Sequence, residues 1–125
     1  MIESSLTEDQ VDKYTNGDCY VLAKNLADKG VGELVAVVAT DDYALWSHMA
    51  IRVAPDSYLD AIGIMSAGEL IEEYSRSYRE FRIMDLLPEE YDELIEGQSP
   101  PMDSPERLEA VAVELVAWFE GIDEF

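Results

Sequence analysis

A chain of 125 residues is long enough to bury one hydrophobic core without metal or disulfide staples, so a single domain is expected. Its 28 acidic and 8 basic side chains leave a net charge of −20, which excludes unaided binding to a phosphate backbone, because too few cations are present to displace counterions. One cysteine excludes an intrachain disulfide. With no long apolar run and no basic and apolar leader in residues 1–5, the chain reads as soluble, cytoplasmic and not membrane-bound.

In chain order, Thr7-Glu8-Asp9-Gln10 has the form of a capping box and opens a short helix to about Tyr14, which Asn16-Gly17 ends. Asp18 then reads as the N-cap of a helix from Cys19 to about Lys29, with Gly30 as a left-handed C-cap. The β-branched run 33–40 predicts a central strand covered on both faces, and a turn at Asp41-Asp42 leads to a second strand from Leu45 to Val53. Period two makes Ser47, Met49, Ile51 and Val53 the core face of that strand and turns His48 away from it. Tyr58-Leu59-Asp60-Ala61 is a short strand closing a hairpin, and Ile62-Gly63 leads out. Ser66 and Glu69 form a second capping box ahead of a helix with Leu70, Ile71 and Tyr74 on its apolar face. Residues 79–84 alternate as an edge strand, Pro88 to Glu96 is a short acidic helix, and residues 97–101 form a linker. Ser104-Pro105 opens the last helix, whose stripe is Leu108, Val111, Ala112, Leu115 and Phe119 and which Gly121 can end. The expected class is α+β: N-terminal helices on a small, mainly antiparallel sheet. The core spans about 16–84, with an acidic helical extension at about 88–121.

The chemistry-bearing set is Cys19, His48 and Asp60. A cysteine at the first position of a helix meets free amides and a partial positive charge, which favour a thiolate, while the neighbouring Asp18 opposes that effect. The same position, on a stripe with Leu22, Ala23 and Leu26, also suits a small buried hydrophobe. Strands in a hairpin lie about 4.8 Å apart, so Asp60 can reach and orient His48. An imidazole so held can take a thiol proton, and amides at the helix start can steady an oxyanion. No cofactor or metal is expected. One Cys and one His are too few for structural zinc, the acidic runs lack the spacing of a calcium loop, and Gly30 and Gly32 belong to no phosphate loop.

The order Gly17-Asp18-Cys19 with Leu22, Ala23 and Leu26, then Ser47-His48-Met49-Ala50-Ile51-Arg52-Val53, then Tyr58-Leu59-Asp60-Ala61 with Gly63, resembles papain-like and transglutaminase-like cysteine enzymes. It looks especially like small phage and bacterial proteins of that group, over about residues 16–75. The resemblance implies a papain-like core acting as a thiol peptidase, amidase or acyltransferase on a protein or peptide. Cys19 would be the nucleophile, His48 the base and Asp60 the orienter. Papain-like enzymes usually carry a glutamine a few residues before the cysteine for the oxyanion. Here Asn16 stands nearest, with Gln10 rather far away.

Charge suggests a different class of function. Residues 1–63 hold 11 acids and 4 bases, net −7, whereas residues 64–125 hold 17 acids and 4 bases, net −13. Such a surface is either a solvated face or an imitation of nucleic acid. On the second view the protein is a phage-encoded inhibitor that blocks a basic host protein through Glu89, Glu90, Asp92, Glu93 and Glu96.

Overall fold

The β-branched segment β2 (Glu33–Ala39) is the spine of a six-stranded, wholly antiparallel sheet, in a computed structural model that describes residues 1–76 and 79–122. The other strands are β1 (Ile2–Glu3), β3 (Asp42–Ala54), β4 (Ser57–Leu59), β5 (Gly63–Met65) and β6 (Phe81–Asp85), in the order β1-β5-β4-β3-β2-β6. Five helices surround them: α1 (Glu8–Asn16), α2 (Cys19–Asp28), α3 (Ala67–Tyr74), α4 (Pro88–Ile95) and α5 (Pro105–Glu120). The class is therefore α+β. None of the described helices is long and apolar enough to cross a membrane.

Local signals set most helix ends. Thr7 and Ser66 accept from the amides of Gln10 and Glu69, whose side chains bind back to the cap amides, and Ser104 accepts from Arg107 N. Gly30 takes a positive φ of 78° just beyond α2, as a left-handed C-terminal glycine should. The two strands that sequence reading omits, β1 and β5, are two and three residues long. β5 follows a turn in which Asp60 and Gly63 exchange backbone hydrogen bonds, and β1 pairs with it at Ile2–Ile64. Two or three residues carry no readable alternation, so only the tertiary pairing defines these strands.

Both faces of the sheet are covered, and this corrects the expectation for β3. On one face Ala36, Val38, Met49, Ile51 and Leu59 pack under α2, with Tyr91 and Leu94 of α4 and Val111, Ala112 and Leu115 of α5 completing that layer. The other face, with Val35, Val37, Ala50 and Tyr58, lies under Leu70 and Tyr74 of α3. His48 is consequently fully buried rather than turned to solvent. The last helix packs into the main core through its expected stripe, although Leu108 and Phe119 remain only partly buried.

Two irregularities shape the centre of β3. Val37 pairs with His48 but Val38 pairs with Trp46, so Ser47 is an extra residue in a bulge, a device that re-aims neighbouring side chains. On its other edge β3 pairs with β4 only from Ile51–Leu59 onward. Beside His48, Met49 and Ala50 the ladder is therefore open, and side chains from the two layers can meet.

Candidate functional site

Cys19, His48 and Asp60 converge at that opening. Cys19 is the first residue of α2, His48 follows the bulge of β3, and Asp60 is the residue immediately after β4 rather than within it. They are 7 %, 0 % and 3 % exposed. His48 Nε2 lies 2.8 Å from Asp60 Oδ2. The same carboxylate oxygen accepts from Tyr74 Oη at 2.9 Å, while Oδ1 accepts from Ile62 N at 2.8 Å and more weakly from Gly63 N at 3.3 Å. Asp60 is thus held by four donors, two from its own turn, which positions it to orient the ring.

Tyr74, the last residue of α3, also stacks on the imidazole, with ring centroids 3.5 Å apart and planes 4° from parallel. The sequence pattern places Tyr74 only on an apolar helix face. The available signal was its hydroxyl, since a buried tyrosine needs a polar partner. Burial, reinforced by the Asp60 charge, pushes its pKa up, so it remains a phenol that donates.

With Nε2 engaged by Asp60, the second ring nitrogen, Nδ1, is buried and has no hydrogen-bond partner among the described residues. Burial is the largest influence on the ring and favours the neutral form. The Asp60 hydrogen bond, the Cys19 side chain and the charges of both outweigh it, so the His48 pKa is raised to about 9. His48 therefore carries a proton at neutral pH, and Cys19 is close enough to the ring to help hold it there.

The surroundings close the set off. The space bounded by Tyr14, Cys19, Leu22, Met49, Leu59 and Asp60 is too tight to admit a water molecule. No family model, curated protein or solved structure matches this chain. The site is accordingly read from its own chemistry.

Asp18 corrects a second expectation. It occupies the N-cap position of α2, yet its carboxylate makes no capping bond. It accepts instead from the backbone amides of Met102 and Asp103 in the segment between α4 and α5. The first-turn amides of α2 are left without a side-chain acceptor, as an oxyanion site requires. Asn16 lies exposed at the end of α1. Among the described residues no three His, Cys, Asp or Glu side chains gather closely enough to hold a metal ion. On α4, Glu89, Asp92 and Glu93 are exposed, as is Glu96 at its C-cap, and Glu90 is partly buried and accepts from Leu87 N.

Proposed function

We propose that the protein is a papain-like thiol hydrolase or acyltransferase of the peptidase or amidase type, with Cys19 as nucleophile, His48 as base and acid, and Asp60 as orienter. The observation that supports this reading is the 2.8 Å hydrogen bond between His48 Nε2 and Asp60, which leaves the buried Nδ1 without a partner among the described residues on a ring whose proton Cys19 helps to hold. Because the ring already carries its second proton at neutral pH, the reactive form is the ion pair, in which the thiol proton resides on Nδ1 and a thiolate faces an imidazolium. The sulfur attacks the acyl carbonyl, a C–S bond forms, and the oxyanion faces the amides that open α2. As the leaving group departs it takes the proton from His48, and a thioester remains on Cys19. Water, or an amine in the transferase version, then gives its proton to His48 and releases the acyl group. Tyr74 holds the ring flat against α3 and shares Asp60, so it is a positioning residue.

A small activated ester tests the reading. p-Nitrophenyl acetate should place one acetyl group on Cys19, seen by intact mass, and then turn over. Cys19→Ser should remove the adduct, and His48→Gln should slow it by about 10²-fold or more, the usual worth of a general base. Acetylation just as fast in His48→Gln would mean that the histidine does no proton transfer.

The exposed carboxylates of α4 favour a second reading, in which an acidic face binds a cationic protein. That reading needs neither Cys19 nor His48.

A further inference from the structure

The first turn of α2 carries polar groups that the Cys19–His48–Asp60 set leaves unused. Asp18 is 1 % exposed, and its carboxylate takes the amide of Met102 at 2.9 and 3.1 Å on its two oxygens and that of Asp103 at 3.0 Å. One residue past the thiol, Tyr20 Oη donates to the carbonyl of Ser99 at 2.7 Å. The residues flanking Cys19 thus grip the main chain of a single segment, 99–103, with an acceptor for its N–H groups and a donor for a C=O. Main-chain pairing of this kind is how proteins hold an extended peptide whatever its side chains.

The segment is suited to that role. Pro100 and Pro101 fix their own φ and bias Ser99 and Pro100 toward extended backbone. Met102 packs its side chain against Gly17, where a Cβ would lie 2.7 Å from Met102 Cε. Beyond the grip, Asp103 is anchored by Lys13 Nζ and Tyr14 Oη. Cys19 lies between the two gripping residues, Asp18 and Tyr20, so the segment is tied down on either side of it in sequence.

We propose that residues 99–103 are a built-in occupant of a peptide main-chain subsite, in which Asp18 receives a backbone N–H and Tyr20 Oη meets a backbone C=O. The substrate class is then an extended polypeptide, and the Cys19 site opens when this strap is displaced. Calling the occupant's rival a substrate rests on the thiol-enzyme reading, whereas the occupancy itself is tested by access alone.

Because Cys19 is the only cysteine, iodoacetamide uptake reads its exposure directly. Pro100→Gly/Pro101→Gly combined with Tyr20→Phe should raise the alkylation rate at neutral pH about tenfold, equivalent to about 1.4 kcal/mol less favourable closure. A second variant, Ile64→Val, lowers global stability at a distance from the strap and controls for unfolding. A capped synthetic peptide copying residues 98–104, at millimolar concentration, should suppress the gain. The same peptide N-methylated at the Met and Asp amides should not. Unchanged alkylation, an equal rise in Ile64→Val, or equal protection by the N-methylated peptide would each overturn the proposal. Repeating the series in His48→Gln separates the two ideas, because a strap-dependent rise there sustains the subsite even where acyl transfer has failed.

Discussion

Replacing Asp60 with asparagine keeps the shape of the side chain and removes the charge that His48 and Tyr74 share. The substituted side chain can still accept from Ile62 N and Gly63 N through its oxygen. Its amide nitrogen then faces two donors, His48 Nε2–H and Tyr74 Oη, where a carboxylate oxygen stood. Burial, the largest influence on the ring and the one favouring neutrality, is left with only Cys19 opposing it. The His48 pKa should therefore fall from about 9 to below the ordinary 6.5. In the wild type the folded pKa lies above the unfolded one, so the stabilisation is complete below pH 6.5 and is lost as pH rises through about 9. A shift of that size corresponds to about 3 kcal/mol. Breaking the buried pair should cost about 3–5 kcal/mol at pH 6, and the gap between the two proteins should narrow by about 3 kcal/mol by pH 9. Since His48 is the only histidine, its imidazole C–H resonances give the titration without assignment, and urea unfolding gives the two stability profiles. A wild-type midpoint at or below 6.5, or a stability gap that does not change with pH, would refute the reasoning.

Three further outcomes are expected. Leu115→Ala, at a fully buried position of α5, should cost about 3 kcal/mol and lower the thermal midpoint by about 10 °C, showing by calorimetry that the last helix belongs to the main core. Gly63→Ala should cost about 3 kcal/mol or more, because φ is +144° and the new Cβ would lie 1.9 Å from the Ile2 carbonyl oxygen. Hydrogen exchange at Ser4 N, which bonds to the Ile62 carbonyl, should report the release of β1. Reversing Glu89, Asp92, Glu93 and Glu96 to lysine should leave stability within about 0.5 kcal/mol per site yet abolish salt-sensitive binding to an oligolysine peptide. Reversing the exposed Glu106, Glu114 and Glu120 of α5 should do much less, and equal losses would show diffuse charge rather than a binding face on α4.

Much of the site was legible because its parts announce themselves locally. A turn before Cys19, the strand around His48 and the hairpin to Asp60 all follow from propensity and spacing over short stretches. Hairpin geometry led to the expectation that Asp60 reaches His48, but the 2.8 Å contact is made from the turn after β4, beside a stretch where β3 and β4 are not paired. Tyr74 was not legible as a partner of the ring, because its position on a helical stripe looks the same whether its hydroxyl meets water or Asp60. Asp18 misled for a similar reason. As an aspartate at an N-cap it has local amides to accept from, but two amides 84 and 85 residues away compete for it and win.

The amino-acid order by itself determined the helices, through caps such as Thr7–Gln10 and Ser66–Glu69, and the two-faced burial of β2, through an unbroken apolar run. These are properties of a few neighbouring residues, so no distant contact is needed to read them. Only the tertiary structure decided that α3 covers the second face of the sheet, that the ladder beside His48 stays open, and that residues 99–103 lie across the start of α2. Each of these depends on which distant surfaces meet, and burial then changes what His48, Asp60 and Asp18 can do. Periodicity can say which side of a strand a histidine takes. It cannot say that another helix will arrive there and exclude the water.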